Sequence, residues 1–294
     1  MIKESFAALG ASTRDLFRNW RGLLLLAALY GLLLASVYYF FATGVANVWQ
    51  LVVTALTFAA VPLLFFLLQA AAANAALPEA TARGVARRAP RDLLKVLLLA
   101  VPVALFAALF VYLLFKMQGW LPKVEEAPVQ YSTVTVAGGS KPVPLRWQDA
   151  LVSSSWLLLL GLVLPLAAAH LWLSAARVGL KMTLKGLHRV LGRAFAPRSV
   201  LVYLVGLFLF GLMPYFVLFT RTSLTNGWAE LTVFGVRLAL VFALTLVGWV
   251  VTLGALARVT PPEEGTPVVS EAAPAEPAPP EPTPESVVEP QMQA

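Results

Sequence analysis

Residues 51–73, LVVTALTFAAVPLLFFLLQAAAA, form a run of 23 residues without a charged side chain. The hydrocarbon core of a bilayer is about 30 Å thick, and a helix needs roughly 20 residues to cross it. Lipid offers the peptide groups no hydrogen-bond partners, so a spanning segment must satisfy them internally as a helix. This stretch therefore predicts a transmembrane helix.

Five further stretches share this length and hydrophobicity. They are residues 22–42, 93–115, 155–176, 200–219 and 231–257. Only 13% of the 294 residues are charged, whereas a soluble domain usually carries about a quarter. We predict an all-α polytopic membrane protein with six transmembrane helices in three hairpins, and residues 22–257 as its transmembrane domain. The chain has no cysteine, which excludes disulfides and cysteine metal sites.

The distribution of cations predicts the orientation. Sixteen of the 22 Lys and Arg residues lie in the N-terminal segment, in the second and fourth loops, and at Arg258. Loops rich in Lys and Arg stay in the cytoplasm, so both termini are predicted to be cytoplasmic, in a bacterial inner membrane. The first helix is expected to remain as an anchor, because its apolar run exceeds the roughly 7–15 residues of a signal peptide.

The three hairpins raise the question of internal repeats. The triplet Arg-Asp-Leu occurs at 14–16, before the first span, and again at 91–93, before the third. Internal repeats are frequent in transporters. A basic cytoplasmic segment followed by a helix start would give the same short match, so whether the hairpins are true repeats stays open.

Two basic segments have the periodicity of amphipathic helices. One is the interfacial segment 1–21, in which Ile2, Phe6 and Leu9 begin an apolar face. The other is 177–199, where the cations recur at steps of four: Lys181, Lys185, Arg189 and Arg193. Such helices lie at the membrane surface with their cations towards anionic headgroups. The four cations are therefore the candidate contact for an anionic lipid or a protein partner; the alternative is that they only fix the topology and cover a surface.

Two segments are predicted to lie outside the membrane. Within the external loop 116–154, β-branched residues at 129–136 and Gly-Gly-Ser at 138–140 predict a small periplasmic β-hairpin. Residues 258–294 are predicted to be a disordered cytoplasmic tail, because ten prolines and seven glutamates follow Thr260 without an aromatic residue. One hypothesis is that this acidic tail folds back on the four cations and competes with headgroups.

Few side chains have the chemistry for catalysis. Of the two histidines, His170 lies in a predicted span and is expected to bond a neighbouring carbonyl, and His188 lies in the segment 177–199. No predicted span contains a carboxylate, and no phosphate-binding loop is present. Cations at membrane boundaries, without a soluble fold, argue against nucleic-acid binding. We predict a non-enzymatic protein that uses no cofactor or metal.

Polar residues and prolines within the spans are also informative. The prolines are candidate helix kinks, because proline removes a backbone donor: Pro62, Pro102, Pro165 and Pro214. Kinked helices can let a bundle rock, although membrane helices also tolerate proline in static packing. Gln69 and Asn74 are expected to hydrogen-bond between helices, and Arg237 is expected to extend towards the outer interface.

These observations favour a non-enzymatic accessory or scaffold protein. It would act through its basic cytoplasmic surfaces and its acidic tail, with anionic lipid headgroups or a protein partner as ligands. The alternative is a carrier or channel for a small molecule or a lipid, which the four prolines and the repeat question keep open.

Overall fold

The structure, a computed structural model, describes residues 2–77, 80–120, 147–220 and 226–260. Within these ranges the chain is helical almost throughout and contains no β-strand, which confirms the all-α class for this part of the protein. The predicted β-hairpin of the external loop falls on residues outside these ranges, as do residues 261–294 of the predicted disordered tail. The first two residues of that predicted tail, Arg258 and Val259, are instead the end of a helix.

Most of the α-helices follow one another closely along the chain, whereas 26 residues separate α4 from α5. In chain order they are α1 (Ile2–Arg18), α2 (Trp20–Ala42), α3 (Val48–Ala75), α4 (Ala82–Trp120), α5 (Trp147–Leu158), α6 (Leu164–Val178), α7 (Leu180–Lys185), α8 (Leu187–Ala194), α9 (Pro197–Leu207), α10 (Met213–Phe219) and α11 (Gly227–Val259). Two π-helical turns join neighbouring α-helices: Leu159–Val163 joins α5 to α6, and Phe208–Leu212 joins α9 to α10.

Six helical segments are long and apolar enough to cross a membrane, as predicted. They are Trp20–Ala42, Val48–Ala75, Ala82–Gly119, Ala150–Val178, Pro197–Phe219 and Gly227–Val259. Each contains the corresponding predicted stretch. The largest difference is in α4, which starts at Ala82 and continues through Pro90, so the basic residues before the third span lie on the helix itself rather than in a loop.

The tightly packed core lies at the end of the bundle where the basic segments meet. Helix α3 packs against α2, α4 and α6, and α11 packs against α1, α9 and α10. The four consecutive alanines 70–73, near the end of α3, are fully buried, as are Leu253 and Ala255 of α11. Small side chains let helices approach closely, which is how helices associate in lipid without a hydrophobic driving force.

Two glycines of α11 mark its closest approaches to neighbouring helices. Gly254 faces Ser12 of α1, whose hydroxyl donates to the Val251 carbonyl at 3.0 Å. Gly248 faces Phe210 in the second π-helical turn. A Cβ atom at either glycine would collide with the facing side chain, so both contacts require a residue without one.

Large apolar side chains are exposed towards the opposite end of the bundle. Examples are Phe41, Trp49, Phe58, Phe115, Phe219 and Trp228, the last with 80% of its surface exposed. Contiguous apolar surface of this extent is rare on a soluble monomer but is what a lipid-facing surface consists of.

Helix α1 is part of the bundle rather than a segment that only rests on the membrane. Its inward face consists of Ser5, Leu9, Ser12 and Leu16, which are buried. Part of the predicted apolar face stays outside: Ile2, Phe6 and Phe17 are each more than half exposed. The periodicity predicted the helix and part of its buried face, including Leu9. It did not predict the buried serines, of which Ser12 packs where the backbone of α11 comes close.

Candidate functional site

A cavity of about 1390 Å³ lies at the basic end of the bundle. Its cations come from five helices: Arg18, Arg21, Arg83, Arg88, Arg177 and Arg258. Of the described residues that line it, only Asp15 is acidic. We call this the arginine cavity. It brings together residues from all four basic segments of the sequence, which are up to 240 positions apart (Arg18 to Arg258).

Asn19 shapes the wall of the arginine cavity between α1 and α2. Its side-chain oxygen accepts a hydrogen bond from the Gly22 amide at 3.2 Å and so caps α2. Its side-chain nitrogen donates to the Ala80 carbonyl at 2.9 Å, just before α4. A Cβ on Gly22 would collide with the Asn19 side chain, so this turn depends on both residues.

Ion pairs connect α1 to two other helices at this end. Arg258, at the end of α11, pairs with Asp15 of α1. Arg198 of α9 pairs with Glu4 of α1 at 3.5 Å. All four side chains are substantially exposed, so each pair adds little to stability, about 0–1 kcal/mol. The pair with Arg258 partly neutralises Asp15, the single acid on the described wall of the arginine cavity.

A second cavity, of about 270 Å³, lies beside the first. Its cations are Arg177, Lys185, Arg189 and Arg193, and both histidines, His170 and His188, also line it. None of the described residues on its wall is acidic. We call it the α6–α8 pocket, because its residues come mainly from α6, α7 and α8, with Thr260 completing it after α11.

Three of the four predicted contact cations line this pocket, and Lys181 does not. The predicted amphipathic segment is also not one continuous helix, since α7 ends at Lys185 and α8 starts at Leu187. Gly186 lies between them in a conformation (φ −97°, ψ 15°) outside the helical region. This break places Lys185 and the α8 cations around one depression instead of along a straight row.

The position of α7 against α6 is set by a glycine and two hydroxyls. Gly179 has φ +81°, a backbone conformation that side-chain-bearing residues rarely adopt, and it lets the chain reverse directly after α6. The buried Thr183 hydroxyl donates to the Gly179 carbonyl at 2.9 Å. That uses its one proton, so Ser174 must donate in the 3.0 Å contact with Thr183. Leu180 packs against the buried Leu99 cluster and holds α7 to the bundle.

Arg177 belongs to both cavities. It is the last cation of α6, and its guanidinium donates to the Thr260 carbonyl at 2.5 Å and also to the Ala257 carbonyl. These carbonyls lie at the C-terminal end of α11, where the helix leaves acceptors without intrahelical partners and where positive charge is favourable. The sequence alone marks Arg177 only as a topology residue; its position directly at the end of a span was the available signal.

His170 is buried, with 4% of its surface exposed. Its Nδ1 atom lies 3.0 Å from the Leu166 carbonyl one turn earlier, as predicted. Its Nε2 atom is also buried and has no hydrogen-bond partner among the described residues. Buried polar atoms without partners are uncommon in proteins and call for an explanation.

A buried carboxylate lies between α3 and α4, where the sequence predicts none. Asp92 is 7% exposed, accepts a hydrogen bond from Asn74 at 2.9 Å and pairs with Lys95 at 2.5 Å. Trp249 of α11 donates to Gln69 of α3 at 2.7 Å. The predicted interhelical roles of Gln69 and Asn74 are thus confirmed. Asp92 was missed because it precedes the predicted span by one residue, although α4 starts ten residues earlier.

The four candidate kink prolines occupy two kinds of position. Pro62 lies inside α3 and Pro102 inside α4. Pro165 and Pro214 each come second in an α-helix that directly follows a π-helical turn. Of the four prolines, the two that lie next to a departure from regular α-helical geometry are therefore Pro165 in the fourth span and Pro214 in the fifth.

No family model, curated protein or solved structure matches this chain. Within the described ranges, no group of three or more His, Asp or Glu side chains is arranged to hold a metal ion.

Proposed function

We propose that this chain is a non-enzymatic accessory or scaffold protein of a bacterial inner membrane that acts through its basic cytoplasmic end. The observation that carries this proposal is the arginine cavity of about 1390 Å³, whose described wall contains six arginines and a single acid. Arginine presents a planar fork of donors that suits phosphate and carboxylate groups. The ligands that fit this surface are anionic lipid headgroups and acidic segments of a protein partner.

The orientation is part of the proposal: both termini in the cytoplasm and the spans arranged as three hairpins. The convergence of the basic segments on one cavity supports a common side for them. Packing of α2 on α3, of α4 on α6 and of α9 and α10 on α11 supports the hairpins.

Because the chain lacks cysteine, single cysteines can test the orientation. Ser140→Cys places a thiol in the external loop and Ser270→Cys places one in the tail. A membrane-impermeant maleimide added to spheroplasts should label Ser140→Cys at once and Ser270→Cys only after permeabilisation. The reverse pattern would overturn the proposed orientation.

The proposed function is tested by partner recovery from membranes. The double variant Arg83→Gln/Arg88→Gln removes two charges from the cavity wall. The double variant Arg14→Gln/Arg87→Gln removes two charges that the cavity does not use. After cross-linking and purification of the full chain, a genuine partner should be depleted in the first variant only. Equal recovery of the partner with both variants would contradict a role for the cavity. A chain without residues 261–294, treated in the same way, shows whether the tail contributes to partner binding.

A second candidate function is a carrier or channel for a small molecule or a lipid. The observation that favours it is the pair of π-helical turns, each directly ahead of a proline, in the fourth and fifth spans. Such turns are frequent at functional sites. Reconstituted vesicles containing headgroup-labelled phosphatidylglycerol separate the two functions, because a lipid carrier accelerates movement between leaflets, whereas a scaffold leaves the rate at that of protein-free vesicles.

A further inference from the structure

We propose that the α6–α8 pocket binds a phosphate group that carries a hydroxyl or lies beside one. The inference rests on the proposed function in one respect, which is that the basic end of the bundle is the end that binds ligands. It concerns a separate cavity and assigns a ligand chemistry to it.

The charge of the pocket selects an anion. Four cations line it and none of its described wall residues is acidic. Arg189 and Arg193 come from α8 and Lys185 from α7, so the positive charge surrounds the pocket from more than one helix. Charge-assisted hydrogen bonds from Arg and Lys to phosphate oxygens are among the strongest in proteins.

The size of the pocket selects a small ligand. Its volume of about 270 Å³ lies near the lower end of the roughly 300–1,000 Å³ that small-molecule sites occupy. A single phosphate group, or the phosphate end of a headgroup, fits this space better than an extended acidic peptide. An acidic peptide is therefore the less favoured occupant.

His170 adds the requirement for a hydroxyl. The Leu166 carbonyl can only accept, so the His170 Nδ1 atom must carry the proton of the neutral ring. Nε2 is then an acceptor, and it has no partner among the described residues. His170 also lines the pocket, and a small shift of the side chains that cover Nε2 would let a ligand O–H group reach this atom while its charged oxygens meet the cations.

Two sources share this chemistry. One is free hydrogen phosphate or a soluble phosphomonoester. The other is a lipid headgroup such as phosphatidylglycerol, which has hydroxyls close to its phosphate. Met182, Leu184 and Leu187 are exposed apolar side chains on α7 and α8 and would contact acyl chains in the second case.

The first experiment uses the purified full-length chain in a nonionic detergent and titrates inorganic phosphate, with heat of binding as the readout. Lys185→Gln and Arg189→Gln should each weaken binding by about tenfold, as expected for the loss of a charge-assisted hydrogen bond. Lys181→Gln is the matched control, since it removes the same charge from α7 without touching the pocket wall. Equal weakening in all three variants would show general charge screening and overturn the site.

The role of His170 is tested with sulfate, which resembles phosphate in shape and charge but has no hydroxyl at neutral pH. The wild-type chain should bind phosphate more tightly than sulfate, and His170→Phe should remove that preference. If His170→Phe does not fold, the wild-type comparison still decides, because equal affinity for the two anions would overturn the assignment of a hydroxyl.

Nanodiscs separate the two sources. Tm is measured in discs of phosphatidylcholine and in discs that also contain phosphatidylglycerol. A lipid headgroup is identified if the Tm is higher in phosphatidylglycerol discs, and if Arg189→Gln removes this increase whereas Lys181→Gln keeps it. Stabilisation by free phosphate in phosphatidylcholine discs, with the same variant pattern, identifies a soluble phosphate. No variant-sensitive effect in either disc would overturn the proposal. These measurements need no protein partner, so they can fail while partner recovery succeeds, and the reverse.

Discussion

At the scale of single residues, Arg177 connects the end of α6 to the end of α11. Its guanidinium caps the C-terminal end of α11 by donating to two backbone carbonyls, and it also lines both cavities. A guanidinium can do this because its donors point in several directions from one plane. A lysine at the same place would act as a compact point charge and would lack the planar fork through which Nη1 and Nη2 each donate to a different carbonyl.

We expect Arg177→Gln to lower the free energy of unfolding by about 1–3 kcal/mol, because two charge-assisted hydrogen bonds to the end of α11 are lost. Unfolding in mixed detergent micelles, followed by circular dichroism, measures the change. Lys181→Gln removes the same charge near the same interface but lines neither cavity, and should change stability by less than about 0.5 kcal/mol. Similar losses in the two variants would mean that net charge, and not the contact with α11, is responsible.

Gly179 allows a second prediction at this scale. Its φ of +81° and ψ of 168° fall in a region that is essentially restricted to glycine. Gly179→Ala should therefore destabilise the protein by about 1–3 kcal/mol and weaken phosphate binding, because α7 carries Lys185. Gly192→Ala is the control: Gly192 lies in α8, a Cβ there would meet no heavy atom within 4 Å, and alanine favours a helix. A stable Gly179→Ala variant with normal phosphate binding would contradict this account.

Residue chemistry explains why some polar contacts could be predicted from the sequence and others could not. Gln69 and Asn74 lie within or at the end of an apolar run, where an amide must find a partner, so their interhelical bonds were predictable. Asp92 lies among arginines, a normal setting for a solvated acid. Only the N-terminal extension of α4 to Ala82, which packs this segment against α3, makes its burial evident.

At the scale of elements, the π-helical turns refine what the prolines predicted. Proline lacks the amide donor, so the hydrogen-bond ladder before it has an unused carbonyl. In the first π-helical turn, the Gly161 carbonyl accepts from the Tyr203 hydroxyl of α9 at 2.7 Å. The sequence could locate the perturbation through Pro165 and Pro214. It could not indicate the partner of the Gly161 carbonyl, because that hydroxyl comes from another helix.

The packing of α11 gives a prediction about whole helices. Gly248→Val places a side chain against Phe210, and should lower stability by about 1–3 kcal/mol through overpacking, or more if the π-helical turn cannot move. Gly235→Val is a matched control on the same helix, because a Cβ there meets no heavy atom within 4 Å. Both variants carry the same gain in helix propensity, because valine favours a helix more than glycine does. The difference between their unfolding free energies therefore isolates the contact of α11 with the fifth span. Equal values would contradict the close approach.

At the scale of the whole molecule, the sequence predicted the spans well and the site only in part. Hydrophobic length fixes a transmembrane helix locally, so all six were identifiable without knowledge of their neighbours. The arginine cavity depends on which helix ends meet in space, and its wall combines Arg18, Arg88, Arg177 and Arg258 from distant parts of the chain. Charge counting predicted that these residues share one side of the membrane but could not show that they surround a common space.

The acidic tail allows a prediction that involves the chain as a whole. Residues 261–294 carry seven glutamates and no Lys or Arg, and they follow directly on Thr260, which lines the α6–α8 pocket. Glu263 and Glu264 are three and four positions beyond Thr260, a separation that an extended chain covers in about 10–14 Å. We therefore expect carboxylates within that reach to compete with phosphate for the same cations.

Deletion of residues 261–294 should therefore tighten phosphate binding several-fold at low salt, about the factor that 1 kcal/mol of exposed ion pairing provides. The difference should vanish near 1 M salt, where the Debye length falls to about 3 Å. Replacement of the seven glutamates by glutamine keeps the length of the tail and removes its charge, so this variant should bind like the deletion at every salt concentration. If it binds like the wild type instead, the tail acts by occupying space, and electrostatic competition for Lys185, Arg189 and Arg193 is excluded.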